Sequence, residues 1–217
     1  MQTTKDKVSY CIGFETGKNL RQQFTDIEFD LLIQGITDAL QDNKPQLEQQ
    51  EMHSVLALLK KQIETQQRQY FTQLAEENKK SGETFLEENK QKEEVVTLPS
   101  GLQYQVLSSG PGKGPHPTPL DVVKIHYRGT FIDGRVFDSS YQRGQPVSIP
   151  LNRVISGWSQ ALQKMKIRDK WKVFIPSYLA YAEHGFGQEI GPNVTLIFEI
   201  ELLGINEIDE DLKATSS

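Results

Sequence analysis

The chain has 217 residues and a formal net charge of −5, with Lys and Glu interspersed. That length suits two unequal parts, and the charge pattern excludes the clustered basic face that a nucleic-acid backbone requires. Cys11 is the only cysteine, which excludes an intrachain disulfide and a metal site built from several thiolates.

His53, His116, His126 and His184 are scattered without metal-ligand spacing, so no metal and no cofactor are expected. No apolar run approaches the roughly 20 residues that cross a bilayer, so membrane insertion is not expected. The start Met1-Gln2-Thr3-Thr4-Lys5-Asp6 lacks the apolar core of a secretory signal, so the chain as written reads as cytoplasmic. A trimmed mature form would instead belong to the periplasm or cell envelope.

The first predicted helix runs from Ser9 to about Leu20, with Ile12 among its apolar positions and Gly13 and Gly17 spaced for close helix approach. Cys11 on this helix reads as a small buried hydrophobe. A second helix is predicted from Thr25-Asp26, where Thr25 and Glu28 have capping-box spacing. Its apolar residues Phe29, Leu32, Ile33, Ile36 and Leu40 form one stripe that calls for a partner. A unit this small seldom buries enough surface to stand alone, so a twofold dimer built on Ile12 and that stripe is expected, with a self-contained helical cap as the alternative.

The third helix is predicted to open at Pro45, a residue suited to the first helical position, and to end near Asn89. Some 40 to 45 helical residues would reach roughly 60 to 65 Å. Met52, Val55, Leu56, Leu59 and Ile63 give its first half an apolar face, whereas Glu64 to Lys92 is dominated by Gln, Glu, Lys and Asn. So polar a helix is expected to bridge domains through solvent, with Ser81-Gly82 its weakest point.

From Val95 onward, runs at Val95–Leu98, Leu102–Leu107, Val122–Phe131, Val147–Ile149, Trp171–Ile175 and Thr195–Leu203 read as strands between Pro and Gly turns. One short helix fits Val154 to about Leu162. The loop Gly110–Pro119 lacks the residue order of a phosphate-cradling loop. The expected architecture is α+β: N-terminal helices over 1–45, a connecting helix over 46–92, an antiparallel sheet around a short helix over 93–206, and a polar tail over 207–217.

The densest signal is Val122-Val123-Lys124-Ile125-His126-Tyr127-Arg128-Gly129, then Asp133-Gly134, Phe137-Asp138-Ser139-Ser140, Arg143-Gly144, Val154-Ile155-Ser156-Gly157-Trp158, Tyr178-Leu179-Ala180-Tyr181 and Ile190-Gly191-Pro192-Asn193. This string resembles the FKBP-type peptidyl-prolyl cis/trans isomerases over about Val95 to Asn206. The N-terminal strings Ser9-Tyr10-Cys11-Ile12-Gly13, Gly35-Ile36-Thr37-Asp38-Ala39-Leu40 and Phe85-Leu86-Glu87-Glu88-Asn89 are similar to the macrophage infectivity potentiator subgroup, whose members are V-shaped homodimers.

The resemblance implies a prolyl pocket made of Tyr127, Phe137, Asp138, Arg143, Val147, Val154, Ile155, Trp158, Tyr181, Ile190 and Phe198. In it Trp158 would be the floor, and Tyr127, Phe137 and Phe198 the walls. Asp138, Tyr181 and Phe137 would carry catalysis, Asp138 pairing with Arg143 at the rim and Ile155 offering its backbone N–H to a substrate carbonyl. Val147 stands where many relatives have phenylalanine, Arg153 where others are acidic or amide, and Ala182 where glycine is usual; His184 and Phe186 are weak candidates.

The implied activity is isomerisation of X-Pro bonds in unfolded client proteins, with chaperone action as a dimer and binding of rapamycin- and tacrolimus-type macrolides. The alternative is a non-catalytic module that binds proline segments, or a holdase.

Overall fold

The computed structural model describes residues 1–24, 26–112 and 114–206. The tail expected over 207–217 and the capping residue Thr25 lie outside them. The chain divides within its longest helix into two compact units, Met1–Glu64 and Thr65–Ser217.

In the first unit, α1 spans Thr4–Gln23 and α2 spans Phe29–Leu40. α1 opens earlier than expected because a capping box sits at Thr3: its Oγ1 accepts from Asp6 N at 3.1 Å, and Asp6 Oδ2 accepts from Thr3 N at 3.0 Å. α2 opens later than Thr25-Asp26, because Glu28 is still extended (φ −77°, ψ 105°) and its side chain makes no cap. The stripe is uncovered in the single chain: Phe29, Ile33, Ile36, Leu40 and, on α1, Ile12 are exposed, and Leu32 is half-buried. Cys11 is also exposed, contrary to the expected buried hydrophobe: among the described residues, that face of α1 is left uncovered, with Val8 and Ile12 exposed beside it.

The third helix, α3, spans Gln49–Asn89, about 61 Å at 1.5 Å per residue. It does not open at Pro45: its first turn closes through Met52 N to Glu48 O at 3.0 Å, and residues 43–48 are irregular.

In the second unit, seven antiparallel strands form one sheet: β1 (Val95–Thr97), β2 (Gln103–Ser108), β3 (Val122–Thr130), β4 (Val136–Ser139), β5 (Val147–Pro150), β6 (Lys170–Ile175) and β7 (Leu196–Ile205). Their order is β1-β2-β6-β7-β3-β4, with β5 also paired to β3. The short helix α4, Ser156–Leu162, packs on the sheet through Trp158, Ala161 and Leu162. Inward positions recur every second residue, as strand geometry requires: Val123, Ile125 and Tyr127 on β3, and Leu196, Phe198, Ile200 and Leu202 on β7. The expected α+β class is observed.

The C-terminal part of α3 belongs to this unit and is not the solvent bridge its composition predicts. Phe85 and Leu86 pack over Val95, Phe174 and Ile197, with the Phe85 and Phe174 rings 5.9 Å apart. Asn89 and Gln103 are both buried, and Asn89 Nδ2 donates to Gln103 Oε1 at 2.9 Å. Gln103 Nε2 in turn donates to Leu86 O at 2.8 Å. Asn78 Nδ2 donates to Pro192 O at 2.9 Å, and Asn193 Nδ2 to Ala75 O at 3.4 Å. Gly82 is buried under Thr195, so the supposed weak point is a packing contact.

Candidate active site

β3, β4, β7 and α4 converge on an open cleft of about 350 Å³. Trp158 comes from the first turns of α4, Tyr127 from β3, Phe137 and Asp138 from β4 and Phe198 from β7. The Trp158 ring meets Tyr127 at 4.9 Å and Phe198 at 5.0 Å, edge to face in both cases, and Phe137 meets Phe198 at 5.5 Å and 88°. These separations and angles are those that aromatic quadrupoles favour. Gly129 makes the last contact possible, since a Cβ there would lie 2.6 Å from Phe137 and 2.8 Å from Phe198. The motif string contains Gly129 without showing that role; its register opposite Phe198 on β7 and Asp138 on β4 does.

The polar edge of the cleft is one connected group. The Tyr127 hydroxyl donates to Asp138 Oδ2 and accepts from Arg143 Nη2 at 2.7 Å, while Arg143 Nη1 pairs with Asp138 Oδ1. Burial alone would push the Asp138 carboxyl up, but the hydrogen bonds from Tyr127 and Arg143 and the guanidinium charge hold it below its ordinary value. Burial, reinforced by the bond to Asp138, pushes the Tyr127 phenol up. Burial and the nearby Asp138 charge do the same at Tyr181. Ser140 anchors this edge: its hydroxyl accepts from Tyr127 N at 2.8 Å and donates to Tyr127 O at 3.1 Å.

Of the expected pocket residues, Tyr127, Phe137, Asp138, Val154, Ile155, Trp158, Tyr181 and Phe198 line the cleft. Arg143 joins through its bonds to Asp138 and Tyr127. Ile190 and Val147 do not line it: Ile190 is buried in the core, and Val147 is half-buried, paired with Ile125 and packed on that core. Three further lining residues are Ile149, Arg153 and Phe186. Alternation along β5 points to Ile149 beside Val147. Phe186 is exposed but stacks on Tyr181 at 4.8 Å, a contact across loop residues that has no periodicity to reveal it. His184 is not part of the lining. Ala182 carries φ +50°, a left-handed conformation that glycine adopts without cost.

Two family models match the chain: the domain amino terminal to FKBP-type peptidyl-prolyl isomerase over residues 5–106, and FKBP-type peptidyl-prolyl cis-trans isomerase over residues 114–203. The chain is 42% identical over 207 residues to the outer membrane protein MIP of Legionella longbeachae, covering 95% of this chain and 88% of that protein. The chain belongs to the FKBP-type peptidyl-prolyl cis/trans isomerase family. This isomerase is also 41% identical over 204 residues to the FKBP-type 22 kDa peptidyl-prolyl cis-trans isomerase of Escherichia coli, covering 94% of this chain and 96% of that one. The crystal structure of FkpA from Escherichia coli superposes with a TM-score of 0.75 at 33% identity, covering 94% of this chain and 98% of that one.

Proposed function

We propose that the aromatic cleft is where this isomerase turns the X-Pro bond, with the proline ring on Trp158 and between Tyr127, Phe137 and Phe198. The observation that carries this reading is the convergence of four aromatic rings beside one ionised carboxylate in a single cleft. Rotation about the bond must cross about 18–20 kcal/mol, although cis and trans X-Pro differ by only about 1 kcal/mol. No bond is made or broken. At the twisted geometry amide resonance is lost and charge separation falls, so a dry aromatic wall favours the twisted form over the planar one. Each 1.36 kcal/mol of that preference gives about tenfold in rate. Asp138, oriented by Tyr127 and Arg143, supplies a fixed field beside the rotating carbonyl, while the Ile155 N–H and the Tyr181 hydroxyl hold the substrate chain.

The chain acts on proline-containing unfolded clients, and macrolides of the rapamycin and tacrolimus type occupy the same cleft. A protease-coupled tetrapeptide assay on the full chain, with and without rapamycin, tests this. Macrolide-sensitive turnover is expected; proline-segment binding or suppression of aggregation without turnover would establish the binding-module reading instead.

The exposed stripe Phe29, Ile33, Ile36 and Leu40, with Ile12 on α1, supports a homodimer formed through the first unit. The domain roles follow from the same reading: dimerisation within residues 1–45 and the start of α3, catalysis within 93–206. Light scattering at micromolar concentration should give twice the chain mass, and a monomer would remove the dimer from the mechanism. The name of the Legionella relative, an outer membrane protein, supports a cell-envelope location rather than the cytoplasmic one. Fractionation of native cells tests that location.

A further inference from the structure

Phe137 is more than a wall of the cleft. That residue also lines a neighbouring hollow of about 560 Å³ with Phe131, Arg135, Gln188 and Glu189. Those four residues also line a further hollow of about 450 Å³ that continues to Leu74, Asn78 and Ser81 on α3. The three hollows adjoin in series, the cleft meeting the second at Phe137 and the second meeting the third along Phe131, Arg135, Gln188 and Glu189, past the Phe137–Phe131 ring pair, 4.9 Å apart.

We propose that the two hollows beyond the cleft hold the part of the client chain flanking the proline and select for a lysine or arginine in that flank. The proposal rests on the reading that the aromatic cleft seats the proline ring. Adjacency to that cleft across Phe137 is the first argument, because a client bound there has its flanking residues close to the second hollow. The second argument is that the walls are preformed. Asn78 holds Pro192 O at 2.9 Å, which fixes α3 against the 185–195 segment, so little ordering is needed when a chain enters.

The third argument is chemical. The exposed Ile132 side chain and the half-buried Phe131 and Phe137 side chains that line the hollows offer apolar contact for the stem of a long side chain. Asp133 and Glu189 set two carboxylates against one guanidinium, Arg135, whose Nε pairs with Asp133 at 2.7 Å and whose Cζ lies over the Phe131 ring at 5.0 Å. The balance is anionic, which favours a cationic guest over an anionic one.

The test compares, on the full chain, a blocked X-Pro tetrapeptide with the same peptide extended by four residues on either side, each extension carrying either lysines or glutamates. A lysine extension on one side should lower KM about threefold relative to the tetrapeptide, the size of a solvent-screened charge pair, with kcat little changed and the gain shrinking in high salt. The glutamate extension on that side should bring no gain, and Glu189→Lys should reverse the order of the two. The readout is the ratio between extended and short peptides, so a general loss of activity in the variant cancels. Tetrapeptide turnover with no lysine advantage on either side overturns the groove alone. Absence of tetrapeptide turnover overturns the catalytic reading beneath it.

Discussion

Gly82 and Thr195 touch so closely that a Cβ built on Gly82 would lie 2.2 Å from Thr195 Oγ1 and 3.1 Å from its Cβ. A glycine in mid-helix normally costs about 1 kcal/mol relative to alanine, so Gly82→Ala on an exposed helix would stabilise. Here the sign reverses. Overpacking against a β-branched residue on buried backbone should cost about 1–3 kcal/mol in urea unfolding of the full chain. Adding Thr195→Ala should recover part of the loss, giving a non-zero coupling in the double-mutant cycle.

A fragment beginning at Thr65 should be more stable than one beginning at Val95. The shorter piece loses Phe85 and Leu86 from over Val95, Phe174 and Ile197, and leaves the Gln103 amide without Asn89 and Leu86 O. Water replaces the lost partners of Gln103, so the difference comes from apolar burial: at about 1.5–3 kcal/mol for one large apolar side chain, at least about 2 kcal/mol is expected between the two in chemical denaturation. Equal midpoints would mean that α3 contributes nothing to the second unit.

Asp138→Ala and Phe137→Ala should each lower kcat/KM on a tetrapeptide about tenfold or more, at least about 1.4 kcal/mol of transition-state stabilisation. Phe137→Ala removes a wall that Gly129 makes room for; Asp138→Ala removes the carboxylate that Tyr127 and Arg143 orient. Trp158→Ala should weaken macrolide binding by isothermal calorimetry. Wild-type turnover in all three would relocate the site.

The pH dependence follows from the two ends of the Tyr127–Asp138 bond. Asp138 lies below its ordinary 3.8, so its favourable contribution is complete above that value and is lost as pH falls through the folded one. Tyr127 lies above its ordinary 10.0, so the contribution of its protonated phenol is complete below that value and is lost as pH rises through the folded one. For the step that depends on this bond, kcat/KM should hold level between those limits and fall outside them. Asp138→Asn should abolish the acid limb, seen by comparing profiles measured down to about pH 3.

Ala182→Gly should stabilise the chain. A left-handed alanine costs roughly 1–2 kcal/mol, from which the greater freedom of glycine in the unfolded state subtracts up to about 1 kcal/mol. A rise in Tm by differential scanning calorimetry, with tetrapeptide kcat unchanged within twofold, is the expected outcome; a fall in Tm would mean that the methyl group packs usefully.

The sheet and the cleft were legible in the sequence for different reasons. Alternation exposed β3 and β7, since Val123, Ile125, Leu196, Ile200 and Leu202 repeat at the strand period. The short strand β4, Val136–Ser139, escaped because four residues carry too little pattern, although its Phe137 and Asp138 were found through the motif string. The docking of α3 was illegible because its contact line is chemically mixed. Leu74, Asn78, Gly82, Phe85 and Asn89 share one helical face, yet only two of these five residues are apolar, and the asparagines read as solvent-facing until their partners are known. Phe186 is only a weak candidate on sequence because its stacking on Tyr181 depends on how the intervening loop turns.

Tyr127 is at once a ring in the wall and an oxygen in the ionic edge, accepting from Arg143 and donating to Asp138. One residue therefore joins the shape of the seat to its electric field, the ring carrying the first and the hydroxyl the second. Replacement by phenylalanine would keep the contour while leaving Asp138 with Arg143 alone, so it divides the rate enhancement into a steric share and an electrostatic share.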